Sequence, residues 1–318
     1  MTCAPVLVTI MIPTYNQAEY IGEAIASALA QTYPVLEVLV GDDASTDETP
    51  AIVARFLHDP RVRYVRQPRN LGRTANYRCL LHEHVRGDYV VNLDGDDYYT
   101  DPEFISRAIA AVDAGGATVI VAARTRWQLG ERQFVSGSAG DRRLSGLQVL
   151  ARMPWSGYHF QHMATLYRRE PACELDFYRR DSISSDWESL CRLALRGQVI
   201  YLDRVVGVWR QHAHNATRAG RIADIADDLM LWRGVYAEAA GAGMSTWLAW
   251  ITCARLEWAL LSGHCAMLSR MSSSAAAELS QAYVRQAGWR AILGIFAPIS
   301  VVRVAASLIG YYRWRMPA

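Results

Sequence analysis

Lysine is absent: all 33 basic residues of this 318-residue chain are arginine. Schiff-base chemistry and a phosphate-loop lysine are thereby excluded. Paired cysteines are missing too. Cys3, Cys79, Cys173, Cys191, Cys253 and Cys265 are scattered without a CxxC. No disulfide framework and no zinc spacing is read from them, and thiols in a reducing compartment are expected. Charge of one sign is also lacking. A net +2 is too balanced for a general polyanion binder, and no nucleic-acid partner is expected. No basic start precedes the short apolar run of MTCAPVLVTIMIP, which reads as a first core strand and not as a signal peptide. A spanning helix wants about twenty apolar residues without charge, and no stretch offers that.

Apolar residues, by contrast, make up 51% of the chain, enough for a sizeable core. The first hundred residues alternate strand and helix signals. Val6–Ile12, Leu36–Val40, Val62–Val65 and Tyr89–Leu93 are short apolar runs rich in β-branched residues. Between them lie Ala18–Gln31, with Ile21, Ile25, Ala28 and Leu29 on one face, then Thr46–Leu57 and Thr74–His84. This rhythm predicts an α/β fold with a mostly parallel central sheet flanked by helices. Further on, Phe104–Asp113 and Asp186–Leu195 are expected helices. Thr118–Ala123, Ala164–Tyr167 and Val199–Leu202 are expected strands, and Gly130–Gly146 a surface hairpin or loop.

After about residue 220 the composition changes. Ile222–Ala240 and Thr246–Met267 are long helical stretches rich in Ala, Leu and Trp. The expected organisation is therefore a catalytic domain over 1–220 and a helical C-terminal extension over 221–318. The last thirty residues are apolar with arginines at the edges. They suit a helix lying in a membrane interface, with contact through residues 288–315, and equally a helix packed on its own domain or on a partner, including a homodimer. A cytoplasmic protein, peripheral on the inner face of the membrane, is the expectation.

Polar clusters fall at the ends of the strands, where parallel sheets bind ligands. VVNLDGDDYYT crowds Asp94, Asp96 and Asp97 into four positions. Like charges this close raise each other's pKa unless a cation sits among them. A hard divalent ion shared with a diphosphate satisfies that need. Asp42 and Asp43 follow the second strand; a carboxylate there binds a nucleoside or caps a turn. Asn70, Gly72 and Arg73 form a strand–helix loop where glycine allows close approach and arginine reaches a phosphate. Asp186 and Glu188 in SISSDWESL either favour a helix dipole or supply a general base. Arg210, His212, His214 and Asn215 in WRQHAHNAT suit a diphosphate or a metal shell.

With these residues in view, the chain resembles the family 2 glycosyltransferases, inverting enzymes of the GT-A (nucleotide-diphospho-sugar transferase) fold. TIMIPTYNQAEYIGEAIASALAQTYPVLEVLVGDDASTDET is similar to the family's nucleotide-binding opening, and RNLGRTANYR to its next loop. LDGDD resembles the metal-binding aspartate motif, SDWE the segment of the catalytic carboxylate, and WRQHAHN the Arg-x-His segment. The resemblance spans about Val6 to Thr217. It implies that Pro13, Thr14, Tyr15 and Asp42 surround the base of a nucleotide-sugar donor, UDP-linked by preference, with Asn70, Arg73 and Gly95 beside it. Asp94 is implied at the ribose or the metal, and Asp96 at Mn2+ or Mg2+. His212 is implied at the metal or the diphosphate with Arg210, and Asp97 in support. Asp186 is implied as the base. Ser185 stands where many relatives have Glu, which leaves Glu188 open as the alternative base.

The function implied is transfer of a sugar to a hydroxyl of a glycan or lipid-linked acceptor in surface polysaccharide biosynthesis. A polyprenyl-phosphate sugar synthase stays open as a variant. A sugar-nucleotide pyrophosphorylase is disfavoured by the loop PTYNQAEY and the missing lysine, and a decayed binding domain by the persistence of Asp42, Asp94, Asp96 and Asp186.

Overall fold

The computed structural model describes residues 6–112, 117–129, 132–137, 140–156, 158–212, 221–268 and 273–288. The chain divides into two compact units. One comprises Met1–Ser145, Phe160–Asp181 and Ser185–His212; the other comprises Gly146–His159, Ser182–Ser184 and Ala213–Ala318. The expected membrane-interface segment, like His214 and Asn215, lies outside the described residues. Among the described residues, no helix is long and apolar enough to cross a membrane.

The first unit opens with β1 (Val8–Thr14), α1 (Ile21–Leu29), β2 (Leu36–Asp42), α2 (Thr49–Ala54), β3 (Val62–Arg66) and α3 (Arg73–Cys79). A π-helical turn, Leu80–His84, prolongs α3 and leads into β4 (Tyr89–Asn92). Then come β5 (Tyr98–Tyr99), α4 (Phe104–Ala111), β6 (Thr118–Leu129), β7 (Arg132–Ser136) and β8 (Arg142–Ser145). After α5 (Gly146–Ser156), which belongs to the second unit, follow β9 (Thr165–Arg168), α6 (Arg169–Glu174), α7 (Ser185–Ala194) and β10 (Gln198–Gln211). The sheet runs β3-β2-β1-β4-β9-β6-β10-β5, with β7 on β6 and β8 on β10. Strands β3, β2, β1 and β4 are parallel, as is the long β6–β10 pair; β9 joins these two blocks antiparallel to both. By paired residues the ladder is mostly parallel, as expected.

Covering both faces of β1 explains its composition: all seven residues are buried. The Thr9 hydroxyl donates to Glu37, whose other oxygen accepts from Arg63 at 2.9 Å. Helix α1 buries Ile21, Ala24, Ile25 and Ala28 against this core, and Leu29, partly buried, packs on it as expected.

Strand β6 runs to Leu129, beyond the expected Ala123, and two further elements differ from the sequence reading. Helix α2 is half the expected length: at its start Ser45, Thr46 and Asp47 are committed to the neighbouring loop, and at its end Arg55, Phe56 and Leu57 turn into i→i−3 bonding. Ser45 Oγ accepts from Asn16 N, Asn16 Oδ1 accepts from Thr46 N, and Asp47 Oδ2 accepts from Ala18 N. Strand β10 does not stop at Leu202. Register shifts at Tyr201/Val205 and Val205/Gly207 absorb the polar Asp203-Arg204 pair, and pairing with β6 resumes to Gln211. Arg210 is therefore a strand residue, not a loop residue.

The second unit packs α5, α8 (Ile222–Gly241), α9 (Thr246–Leu268) and α10 (Ser273–Ala287). Ile225, Leu229, Leu261, Leu279 and Tyr283 form its core. Buried in it is Glu257, held by Arg233 Nε at 2.9 Å and by Tyr283 Oη at 2.9 Å. Removing one partner of such a pair leaves an uncompensated charge, which costs about 3 kcal/mol. Arg233→Met is thus expected to lower the unfolding midpoint of the chain in urea, and the double variant with Glu257→Met to recover most of the loss.

Candidate active site

The C-terminal ends of β1, β2 and β4 meet at one edge of the sheet. Ladder pairing sets Thr14 beside Asp42 and Met11 beside Asn92, which brings Asp94 next to Pro13 and Thr14. Gly95 N donates to Pro13 O at 3.2 Å. A Cβ at Gly95 would lie 2.5 Å from Gln17 Oε1 and 2.9 Å from Thr14 Oγ1. The glycine of LDGDD is required for this close approach, not for an unusual φ.

The three carboxylates separate by environment. Asp94 Oδ1 accepts from Tyr77 Oη at 2.7 Å and from Asn92 Nδ2 at 3.0 Å. Asp96 Oδ2 lies 2.8 Å from His212 Nε2, and the His212 ring stacks on Tyr20. Burial, and after it the charge of Asp94, raises the Asp96 pKa, while His212 opposes the shift. Asp97 is 2% exposed and accepts from Arg210 N at 2.9 Å. Burial first, then Asp96 and Asp94, pushes its pKa far up.

Arg210 departs from the expectation that it reaches the diphosphate. Its Nη1 donates to Asp96 O at 2.9 Å, its Nη2 pairs with Glu23, and the guanidinium lies 4.3 Å from the Tyr98 ring centroid. These bonds hold the Asp96–Asp97 turn against β10. Asp42 also departs. It is 0% exposed, Oδ1 accepts from Ser45 N, and Oδ2 accepts from Tyr64 Oη at 2.6 Å with Arg66 Nε at 3.5 Å. These contacts are those of the turn-capping alternative. Its neighbour Asp43 accepts from Leu71 N and Gly72 N, so it ties the loop of Asn70 and Arg73 to the end of β2. Gly72 has φ +89°, and Asn70 is exposed. Tyr15, 45% exposed, is the open aromatic surface at this end.

Across from the aspartates stands Asp186, half-buried in the first turn of α7. Burial works against the charge of Arg73, but Tyr77, Asp186 and Asp94 outweigh it and raise its pKa. Both carboxylates thus act electrostatically on the guanidinium, which lies 5.8 Å from the Tyr77 ring centroid. Glu188 is 2% exposed, and its Oε1 accepts from Arg179 Nη2 at 3.0 Å, with Arg192 Nε at 3.9 Å. Glu188 thus sits in a buried ion pair through Oε1, while its Oε2 is buried without a hydrogen-bond partner among the described residues.

Several site residues escaped the sequence reading. His162 Nδ1 lies 3.9 Å from Asp186 Oδ2 and 3.2 Å from Asn92 Nδ2, and Nε2 lies 2.9 Å from Tyr178 Oη. Tyr178 takes a left-handed φ of +60°, a conformation kept by surrounding structure when a side chain must be aimed. The one available signal was polarity inside apolar runs: Asn92 in VVNL and His162 in FQHMA.

The donor set suits Mn2+ or Mg2+. Burial, and after it the charge of Asp94, raises the Asp96 pKa, and a histidine nitrogen lies 2.8 Å from that carboxylate, a set of oxygen and nitrogen donors that a hard divalent ion would fit. Asp94, Asp96 and His212 do not, however, bring three ligand atoms within 4.8 Å of one another.

The family pattern described as Glycosyl transferase family 2 matches residues 9–175, just over half of the chain. The chain belongs to this family. Its fold is that of the GT-A glycosyltransferases. Staphylococcus aureus TarS residues 1–349, solved with UDP-GlcNAc, superposes with a TM-score of 0.65 at 17% identity, covering 98% of this chain and 93% of that one. The mannosyltransferase PcManGT of Pyrobaculum calidifontis, solved with GDP-Man and Mn2+, gives 0.57 at 20% identity, over 98% and 81%. In sequence, the chain is 33% identical over 208 residues to an uncharacterized protein of Mycobacterium tuberculosis, covering 63% of this chain. It spans 58% of that relative's length. It is 41% identical over 114 residues to the succinoglycan biosynthesis protein ExoO of Rhizobium meliloti, covering 36% of this chain and 32% of that one.

Proposed function

We propose that this glycosyltransferase is an inverting, metal-dependent enzyme. It moves a sugar from a nucleoside-diphosphate sugar, UDP-linked by preference, to a hydroxyl of a glycan or lipid-linked glycan in surface polysaccharide synthesis. One observation carries the reading: Asp186 remains half-buried on the edge that holds Asp94 and Asp96, while Glu188 is tied to Arg179. The nucleotide sugars bound by TarS and PcManGT support the donor class, and the name of ExoO supports the polysaccharide role.

Thr14, Tyr15 and the Asn70–Arg73 loop would receive the nucleoside, with Asp94 at the ribose. Asp96, Asp94 and His212 would hold Mn2+ or Mg2+, which when bound opposes the charge gathering on the departing diphosphate. Arg73 orients Asp186, and His162 fixes its other side. Asp186 takes the proton of the acceptor hydroxyl as that oxygen attacks the anomeric carbon. The bond to the diphosphate oxygen breaks on the opposite face, the nucleoside diphosphate leaves with the electron pair, and the configuration inverts.

A panel of nucleotide sugars with Mn2+, read by thermal unfolding, tests the donor class. A donor at 100 times its Kd is expected to stabilise the chain by about 2.7 kcal/mol. A panel in which no nucleotide sugar shifts the transition, with or without the ion, would sink the reading.

A further inference from the structure

At the far end of α3 from Arg73, a second cluster of ligand-type residues comes together. Cys79 Sγ, a carboxylate oxygen of Glu83 and a ring nitrogen of His84 all lie within 4.8 Å of one another. Among the described residues this is the only trio of His, Cys, Asp or Glu that does so. The spacing Cys-x3-Glu-His matches no common zinc signature, and the backbone explains how it works. In an α-helix, residue i+5 lies about 140° around the axis from residue i. Here Leu80–His84 is a π-helical turn, closed by Val85 N donating to Leu80 O at 2.9 Å. Widening the turn brings position i+5 back over position i, so both Glu83 and His84 flank Cys79. Such single π-turns recur at functional sites.

The surroundings hold the three groups in place. Gln67 Nε2 lies 3.5 Å from Cys79 Sγ and 3.1 Å from Asn76 Oδ1, orienting the sulfur from the buried side. Arg63 Nη1 donates to His84 O at 3.0 Å and pins the end of the turn to β3. Cys79 and His84 are half-buried while Glu83 faces solvent, so an ion has a route in and the fourth position is open to water.

We propose that Cys79, Glu83 and His84 form a zinc site separate from the aspartates of the donor site. Thiolate, imidazole and carboxylate together are a set for a borderline-soft divalent ion. Binding releases the thiol proton to solvent. The bound ion clamps the π-turn and, through Gln67, the end of β3 from which the donor loop departs.

Cobalt(II) substitution tests this on the full chain after chelation and dialysis. The expected result is a thiolate-to-cobalt absorption band that saturates at one ion per chain and is displaced by zinc. Cys79→Ser abolishes the band, Gln67→Met weakens affinity about tenfold, and Asp96→Asn leaves the band intact. Zinc is also expected to protect Cys79 from iodoacetamide, read by mass spectrometry of the Cys79 peptide. A wild-type chain with no thiolate band, a band that persists in Cys79→Ser, or alkylation of Cys79 unchanged by zinc overturns the proposal. The alkylation readout uses the wild-type chain, so poor folding of a variant does not leave the matter open.

Discussion

Asp186→Asn is expected to lower turnover by about 10²–10⁴-fold, the usual contribution of a positioned base, while leaving nucleotide-sugar binding within a few-fold of wild type. The side chain keeps its size, and in the proposed function the donor contacts come from β1, the Asn70–Arg73 loop and the Asp94 turn. Single-turnover kinetics with a radiolabelled donor, beside donor affinity by calorimetry, separates the two quantities. Glu188→Gln is the companion variant. Because Glu188 is paired with Arg179 and Arg192 in the interior, its loss is expected to lower stability and not the chemical step of the folded fraction. Full turnover in Asp186→Asn, with loss in a well-folded Glu188→Gln, would reverse the assignment.

Asp96→Asn carries the second large effect. It removes the charged partner of His212 and one of two carboxylates facing the proposed cation. Loss of one such group at a developing charge costs about 10²–10³-fold in rate, and Mn2+-dependent donor affinity is expected to fall with it. Transfer that survives in Asp96→Asn and in chelator would remove the metal from the mechanism. The pH dependence gives an independent check. Burial and Asp94 raise the Asp96 pKa, so protons compete with the cation at a pH above the ordinary carboxylate range. Mn2+ affinity should therefore weaken as pH falls, beginning at higher pH than a free aspartate with pKa about 3.9 would allow. An affinity flat down to the ordinary carboxylate range contradicts the raised pKa.

Much of this was legible from local pattern. The α/β rhythm of the first hundred residues places Asp94, Asp96 and Thr14 at strand ends, because side-chain periodicity and glycine positions are properties of short segments. The start of helix α2 was misjudged because Ser45–Asp47 bond across 29 or more residues to Asn16 and Ala18, which no window of sequence displays. The same holds for Asp42. GDDAS reads as either a ligand site or a turn, and only Tyr64 and Arg66, brought in by β3, decide for the turn.

The sequence by itself determined the family, the parallel core and the residue types available for chemistry; missing lysine and crowded aspartates are statements about composition and spacing. Tertiary structure decided what each group is free to do. It set Arg210 against the Asp96 turn, paired Glu188 with Arg179 in the interior and placed Asp186, half-buried, beside His162. It also joined Asn92, His162 and Tyr178, and folded Cys79, Glu83 and His84 onto one side of a widened turn. Hydrogen-bond partners far apart in the chain set the burial and charge of a side chain, and that environment fixes its role.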